Sequence, residues 1–379
     1  MESKKRSRSD DNSDTINSKK KQILEKMTSS DSLLPTSSIL DIKEDFRVVI
    51  GTYERLLYGI NAVWNEQKDK VKLEPVFIIP AHTGCIRTVG IGGHFLASGS
   101  SDEIIRLFDV KKRKEYGSLG GHHQGDITDI QFHGKYMLSG SDDHSINLWR
   151  TKDWEFLKTL KGHKGRVNSV AIHPTGKIAL SVSTDRSAIL WNLMTGRKAS
   201  VNKLGRDEGM QILWNPTGDK YAILFDRSIN VYNVSDAKVA QTLTHRSKFN
   251  TMVYYNNYII SGHEDKTIRV WDTESGECIK EVTAHKLRVK AVSIVEASGK
   301  TILSSVSSDG LLKCWDVESL IESENPEPIG EYNIKSRATC IVAHAGFAKL
   351  EEEKEKEQQE EKKEKSTIKG KKGNTKSKK

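Results

Sequence analysis

Ile146-Asn147-Leu148-Trp149, Ile268-Arg269-Val270-Trp271-Asp272 and Leu312-Lys313-Cys314-Trp315-Asp316 are three versions of one ending. Each Trp follows, by roughly 26 to 30 residues, a small residue and a His: Gly121-His122, Thr244-His245 and Ala284-His285. Gly162-His163 with Trp191 makes a fourth copy, and Ala81-His82 with Phe108-Asp109 a fifth. A period of roughly 40 residues that opens on Gly-His and closes on Trp-Asp is the mark of a β-propeller blade, a four-stranded sheet stacked against its neighbours. Propellers are usually binding platforms, so function is to be sought on surfaces before catalytic side chains.

Outward from these copies, short β-rich runs broken by Gly, Asp and Ser recur every 8 to 12 residues from Phe46 onward. Aligning the acid of the turn before each Trp-type strand gives seven copies, at Glu54, Asp102, Asp143, Asp185, Asp226, Asp265 and Asp309. The Trp-type positions are Ile60, Phe108, Trp149, Trp191, Tyr232, Trp271 and Trp315, all large and apolar or aromatic. The first copy, Phe46 to Glu54, matches a second strand and its turn, with no innermost strand before it. Arg337 to His344 reads as a first strand with nothing after it. The expectation is an all-β, seven-bladed WD-repeat propeller over residues 45–345, whose first blade is closed by the C-terminal strand. Closure removes two open sheet edges. Residues 1–44 are expected to be a disordered extension and residues 346–379 a charged tail. Within that tail, 349–365 has Glu352–Lys356 and Glu361–Lys365 pairs suited to a solvated helix, without an apolar coiled-coil seam.

The chain's 379 residues suit this reading, since seven blades need roughly 300. No apolar run approaches the roughly 18 residues a membrane span requires, and the charged start is followed by no apolar stretch, so an intracellular protein without membrane contact is expected. The cysteines, Cys85, Cys278, Cys314 and Cys340, show no paired spacing and read as free thiols. The net charge of +9 is distributed unevenly. Residues 1–45 hold nine Lys/Arg and nine Asp/Glu, while residues 345–379 hold twelve Lys and eight Glu. The body is only mildly basic, which suits a polyanion-rich environment rather than base-specific recognition.

Several residues look chemical. His163, Ser181 or Ser183, Asp185 and Trp191 have the types of a Ser-His-Asp triad, yet comparable sets recur as His122/Asp143/Trp149, His245/Asp265/Trp271 and His285/Asp309/Trp315. An enzyme needs one activated nucleophile, so repeated sets read as structural braces: the turn Asp orients the His, a strand Ser or Thr bridges, and the indole N–H donates. Neither the pair His122-His123 nor His263-Glu264-Asp265 has metal-ligand spacing, and Gly90-Ile91-Gly92-Gly93 lacks the Lys-Ser/Thr ending of a phosphate loop. No catalytic site, metal, cofactor or small-molecule substrate is expected. The fifth copy is weakest, opening on Leu204-Gly205-Arg206 with no His. Lys4, Lys5, Arg6 and Lys19, Lys20, Lys21 form two basic clusters with the spacing of a bipartite nuclear import signal.

Over about residues 46–345 the chain resembles the WD-repeat family of p21-activated-kinase-interacting proteins, which includes a fungal large-ribosomal-subunit assembly factor. The segments that carry the resemblance are Gly51 to Gly59, Leu138 to Asp143, Ala171 to Val182, Ser307 to Gly310, Lys313-Cys314-Trp315 and Arg337 to Cys340. The lysine-rich C-terminal tail fits the family pattern, and the long N-terminal extension lies outside it. The resemblance implies a nuclear, nucleolar protein acting without catalysis in large-subunit maturation and rRNA processing. Its implied partners are pre-ribosomal proteins, and pre-rRNA through the lysine tails. The resemblance also implies an alternative, negative regulation of a p21-activated kinase.

Overall fold

The computed structural model describes residues 44–346. The two import clusters, the helix expected within 349–365 and the final lysine run lie outside the described residues. The described chain forms seven four-stranded antiparallel sheets, the blades of one β-propeller. Blade 2 gives the pattern, running from the channel outward through Ile86–Gly92, Phe95–Ser100, Ile105–Asp109 and Lys114–Leu119; blades 3 to 7 follow in chain order over residues 127–161, 167–203, 211–244, 249–283 and 289–333.

Burial follows position in the blade. The two middle strands are covered on both faces by neighbouring blades, so they read as continuous apolar and small runs rather than alternating ones. Phe46–Thr52 is buried at every position, and Ile178–Ser183 at all but its first. Outer strands face water and carry charge: Arg197–Lys203 is exposed at all but one position. Arg47 is tolerated in the fully buried strand because its guanidinium donates to Asn61 Oδ1 (2.7 Å) and Val110 O (2.8 Å) and pairs with Glu44.

Blade 1 consists of Ala338–Ala345, Phe46–Thr52, Leu56–Trp64 and Val71–Pro80, in that order from the channel. Its inner pair is antiparallel, with Val49 opposite Val342. Gly346 N–H donates to Asp45 O (2.9 Å) at one end, and Tyr53 N–H to Arg337 O (2.9 Å) at the other. The C-terminal strand therefore closes the ring. Among the described residues the one α-helix, Val317–Glu322, is inserted in blade 7 and capped by Asp316, the Asp of a Trp-Asp pair.

Two register shifts recur. One falls at the Trp-type residue of blades 1 to 6, as at Leu148/Trp149 and Val270/Trp271. The other falls at the second residue of the innermost strand in six blades, leaving Arg87, Thr128, Asn168, Asn250, Lys290 and Thr339 outside the regular pairing. Bulges re-aim side chains, and all six of these residues line the central channel.

Candidate functional site

Two sets of polar residues could carry function, the His-Ser-Asp-Trp groups inside the blades and the bulge residues of the channel. In blade 4 His163 Nδ1 lies 3.0 Å from Asp185, its Nε2 2.7 Å from Ser181 Oγ, and Trp191 Nε1 donates to the same hydroxyl at 2.8 Å. Burial lowers the His163 pKa, with Asp185 opposing, which favours neutral imidazole at pH 7. In that state Nδ1–H donates to Asp185, Nε2 accepts from the Ser181 hydroxyl, and Ser181 accepts from the indole. Every partner is satisfied. Ser183, the other candidate bridge, accepts instead from Asp185 N–H at 3.1 Å. Ser139, Ser181, Ser261 and Ser305 are fully buried, so none presents an oxygen to a substrate.

The structure corrects three of the sequence-derived sets. In blade 3 the brace is His123, whose Nδ1 lies 2.9 Å from Asp143 and Nε2 2.8 Å from Ser139, the acceptor of Trp149 Nε1. His122 is exposed and stacks on Phe156, 4.5 Å between ring centroids. In blade 6 His245 accepts from Ser247 N–H, and Asp265 is taken by Arg269 (2.8 Å) and Thr267 (2.7 Å). His263, on the strand itself, reaches Ser261 (2.8 Å), the acceptor of Trp271. In blade 7 His285 and Trp315 both meet Ser305, at 2.9 and 3.0 Å, while the Asp309 carboxylate accepts from Leu311 N–H instead. A cavity of about 500 Å3 lined by His285, Asp309 and Lys313 opens there.

One residue type explains these differences. The loops that deliver His to the turn Asp read His-x-Gly: His82-Thr83-Gly84, His123-Gln124-Gly125 and His163-Lys164-Gly165. A Cβ on Gly125 would stand 2.9 Å from Asp143 N, and one on Gly165 3.0 Å from Asp185 N. Only glycine lets the loop pass that close to the turn. His245 and His285 are followed two residues later by Ser247 and Leu287, and neither touches its Asp. The Gly after the His, rather than the small residue before it, was the signal to read. It also picks out a brace outside the predicted sets, His82 with Asp102 (3.0 Å) and Ser98 (2.7 Å), where Phe108 supplies no N–H.

Blades 1 and 5 lack the brace and hold differently. Glu54 in blade 1 accepts from Arg337 N–H (3.0 Å), the role Asp102 plays toward Thr83 N–H (3.0 Å). In blade 5 Tyr232 stacks on Tyr221, 5.0 Å between centroids, and Asp226 is exposed and pairs with Lys248 (2.7 Å).

Around the channel, side chains of one blade bond the backbone of the next. Asn168 donates to Gly209 O (2.8 Å), Asn250 to Val289 O (3.0 Å) and Thr339 to Ile86 O (2.6 Å). Gln211 both donates to Met252 O (3.1 Å) and accepts from Met252 N–H (2.9 Å). Asp129 accepts from Ser169 Oγ (2.8 Å) and Val170 N–H (2.9 Å), and burial raises its pKa. These links belong to the scaffold. Lys290 does not join them and Arg87 reaches the Asp126 carboxylate (3.0 Å) rather than backbone; with a channel cavity of about 460 Å3 these two cations form the site's chemistry.

The profile described as "WD domain, G-beta repeat" matches residues 73–109, 113–150, 154–192, 238–272 and 276–316. A Danio rerio protein named p21-activated protein kinase-interacting protein 1-like is 35% identical, over 79% of this chain and 80% of that protein. The chain belongs to this WD-repeat family. Its Homo sapiens member, p21-activated protein kinase-interacting protein 1, is 33% identical over 78% of this chain and 76% of that protein. Protein MAK11 of Saccharomyces cerevisiae is 30% identical over 80% and 84% respectively. Each matched repeat runs from the outer strand of one blade through the third strand of the next: residues 73–109 join Val71–Pro80 of blade 1 to Ile105–Asp109 of blade 2. The blade 5 copy, without His or Trp at the repeat positions, falls outside the matched segments.

Proposed function

We propose that this WD-repeat protein is a non-catalytic scaffold in nucleolar maturation of the large ribosomal subunit, where it holds assembling proteins during rRNA processing. The observation that carries the reading is the likeness to Protein MAK11 over four-fifths of both chains, together with the sequence resemblance to a fungal large-subunit assembly factor. The geometry is compatible: the His-Ser-Asp-Trp groups are consumed as braces, leaving a rigid ring with polar loops at its ends. The basic clusters Lys4, Lys5, Arg6, Lys19, Lys20 and Lys21 serve nuclear import, and the C-terminal lysines add salt-dependent attraction to pre-rRNA.

A second reading is supported by the names of the relatives, p21-activated protein kinase-interacting protein 1 and Shk1 kinase-binding protein 15: the ring binds and restrains a p21-activated kinase. Depletion followed by pre-rRNA profiling and gradient sedimentation separates the two. The assembly reading expects loss of large-subunit precursors, co-sedimentation of the tagged protein with them, and nucleolar fluorescence. Normal precursor levels after depletion would refute it and favour the kinase reading.

A further inference from the structure

The bulge that opens each innermost strand is the same device in six blades, yet its side chains are unequal. Thr339, Asn168 and Asn250 are used on neighbouring backbone carbonyls. Lys290 makes no ion pair among the described residues. Its side chain is exposed at the channel wall, its charged neighbours are Arg288, Arg337 and Arg87, and partial desolvation there followed by Arg288 lowers its pKa. Arg288 and Arg87 are partly offset, by Glu264 (3.2 Å) and Asp126 (3.0 Å). The Arg337 guanidinium sits over the Tyr53 ring, 5.3 Å from its centroid. Blades 7, 1 and 2 thus gather four cations at one mouth of the channel.

Apolar surface stands beside this charge. Tyr53, on the blade 1 turn, is 57% exposed, and Leu287, on the loop entering blade 7, is 48% exposed. Thr128 Oγ1, at the equivalent bulge of blade 3, is buried with no partner. Of the four cations Lys290 and Arg337 have no ion pair among the described residues, and their mutual repulsion at the opening is a cost that an incoming anion relieves.

We propose that this mouth docks an acidic linear segment of a protein partner, with carboxylates on Lys290, Arg337 and Arg87 and an apolar side chain against Tyr53 or Leu287. A nucleic-acid strand fits less well. The rim is mixed in sign: Asp126 stands beside Arg87, and the adjoining cavity alternates Arg166, Arg206 and Lys248 with Asp207, Glu208 and Asp226. A continuous phosphate backbone would run onto these acids, whereas strand-binding grooves track phosphate with an unbroken basic path. The proposal rests on the binding-platform reading, and not on the nucleolar assignment.

The test uses the full chain and three fluorescein-labelled probes at about 0.15 M salt: a peptide of about twelve residues rich in Asp and Glu with one central Leu, its Asn/Gln counterpart, and an oligouridine of equal length. The lysine tails remain in every variant, so their contribution cancels. Lys290→Gln with Arg337→Gln is expected to weaken the acidic peptide about tenfold, or about 1.4 kcal/mol, with an unchanged melting temperature. Lys152→Gln with Lys177→Gln, exposed lysines elsewhere on the ring, is expected to leave it unchanged. Equal affinity of the double mouth variant for the peptide, or a loss for oligouridine larger than for the peptide, overturns the proposal. Pre-rRNA profiles after depletion test the assembly reading separately, so either can fail alone.

Discussion

Replacing Ser181 by Ala removes one oxygen and orphans two buried groups. Ser181 Oγ accepts from Trp191 Nε1 (2.8 Å) and donates to His163 Nε2 (2.7 Å), and Ser181 and Trp191 are 0% and 1% exposed. Water has no ready path to either partner. A buried polar group left without a partner costs about 1–3 kcal/mol, so Ser181→Ala is expected to lose about 2–4 kcal/mol. Ser304→Ala is the matched control, since that buried hydroxyl touches only Cys314 Sγ at 3.7 Å and its loss should cost under about 1 kcal/mol. Trp191→Phe in the Ser181→Ala background removes the orphaned donor, as Phe108 does in blade 2, so the two changes should be less than additive. Urea unfolding followed by far-ultraviolet circular dichroism measures wild type, the three single variants Ser181→Ala, Ser304→Ala and Trp191→Phe, and the double variant. A Ser181→Ala midpoint matching wild type or Ser304→Ala would refute the brace reasoning.

His123→Ala should cost about 2 kcal/mol or more, because Asp143 and Ser139 both lose a buried partner, while His122→Ala should cost under about 1 kcal/mol; denaturation midpoints in the reverse order would sink that assignment. Burial holds His82, His163, His263 (about 3) and His285 (about 4) below the ordinary histidine value. The unfolded chain therefore binds more protons below about pH 6.5, so this stability is full above that pH and falls as pH drops toward about 3. In Asp143 and Asp265 desolvation is outweighed by hydrogen bonds that include those from His123 to Asp143 and from Arg269 to Asp265. These hold both carboxyls well below the usual range and extend the loss below about pH 3.8. Equal urea midpoints at pH 7 and 4.5 would contradict the sign. A chain ending before Arg337 lacks Ala338–Ala345 and exposes the edge of Phe46–Thr52, so it should aggregate or melt more than about 10 °C lower. A chain ending at Gly346 keeps the ring and should melt like the full protein; equal melting of both truncations would exclude closure by that strand.

Blade number and ring closure were legible because each blade writes its own local signals: the turn acid, the Trp-type residue and the short strands. The missing inner strand of blade 1 was readable as an unmatched fragment at each end of the repeat. The brace histidines were only partly legible. Reading the residue before the His selected His122, His245 and His285 along with His163, whereas the residue that matters is the glycine two places after, which grazes the turn backbone. His263 occupies the position of Ser141 and Ser183, a departure visible in the alignment, but its consequence depends on Arg269 capturing Asp265.

By itself the amino-acid sequence determined the architecture, since short β-rich runs, turns and repeat period are properties of neighbouring residues and recur in each copy. It also placed the chain near a family, through its irregular first blade and closing strand. The cationic mouth was decided only by tertiary structure. Arg87, Lys290 and Arg337 belong to three blades, Arg87 far along the chain from the other two, and none is unusual in its own repeat. They meet because closure brings blades 7, 1 and 2 side by side, and bulges turn Arg87 and Lys290 into the channel.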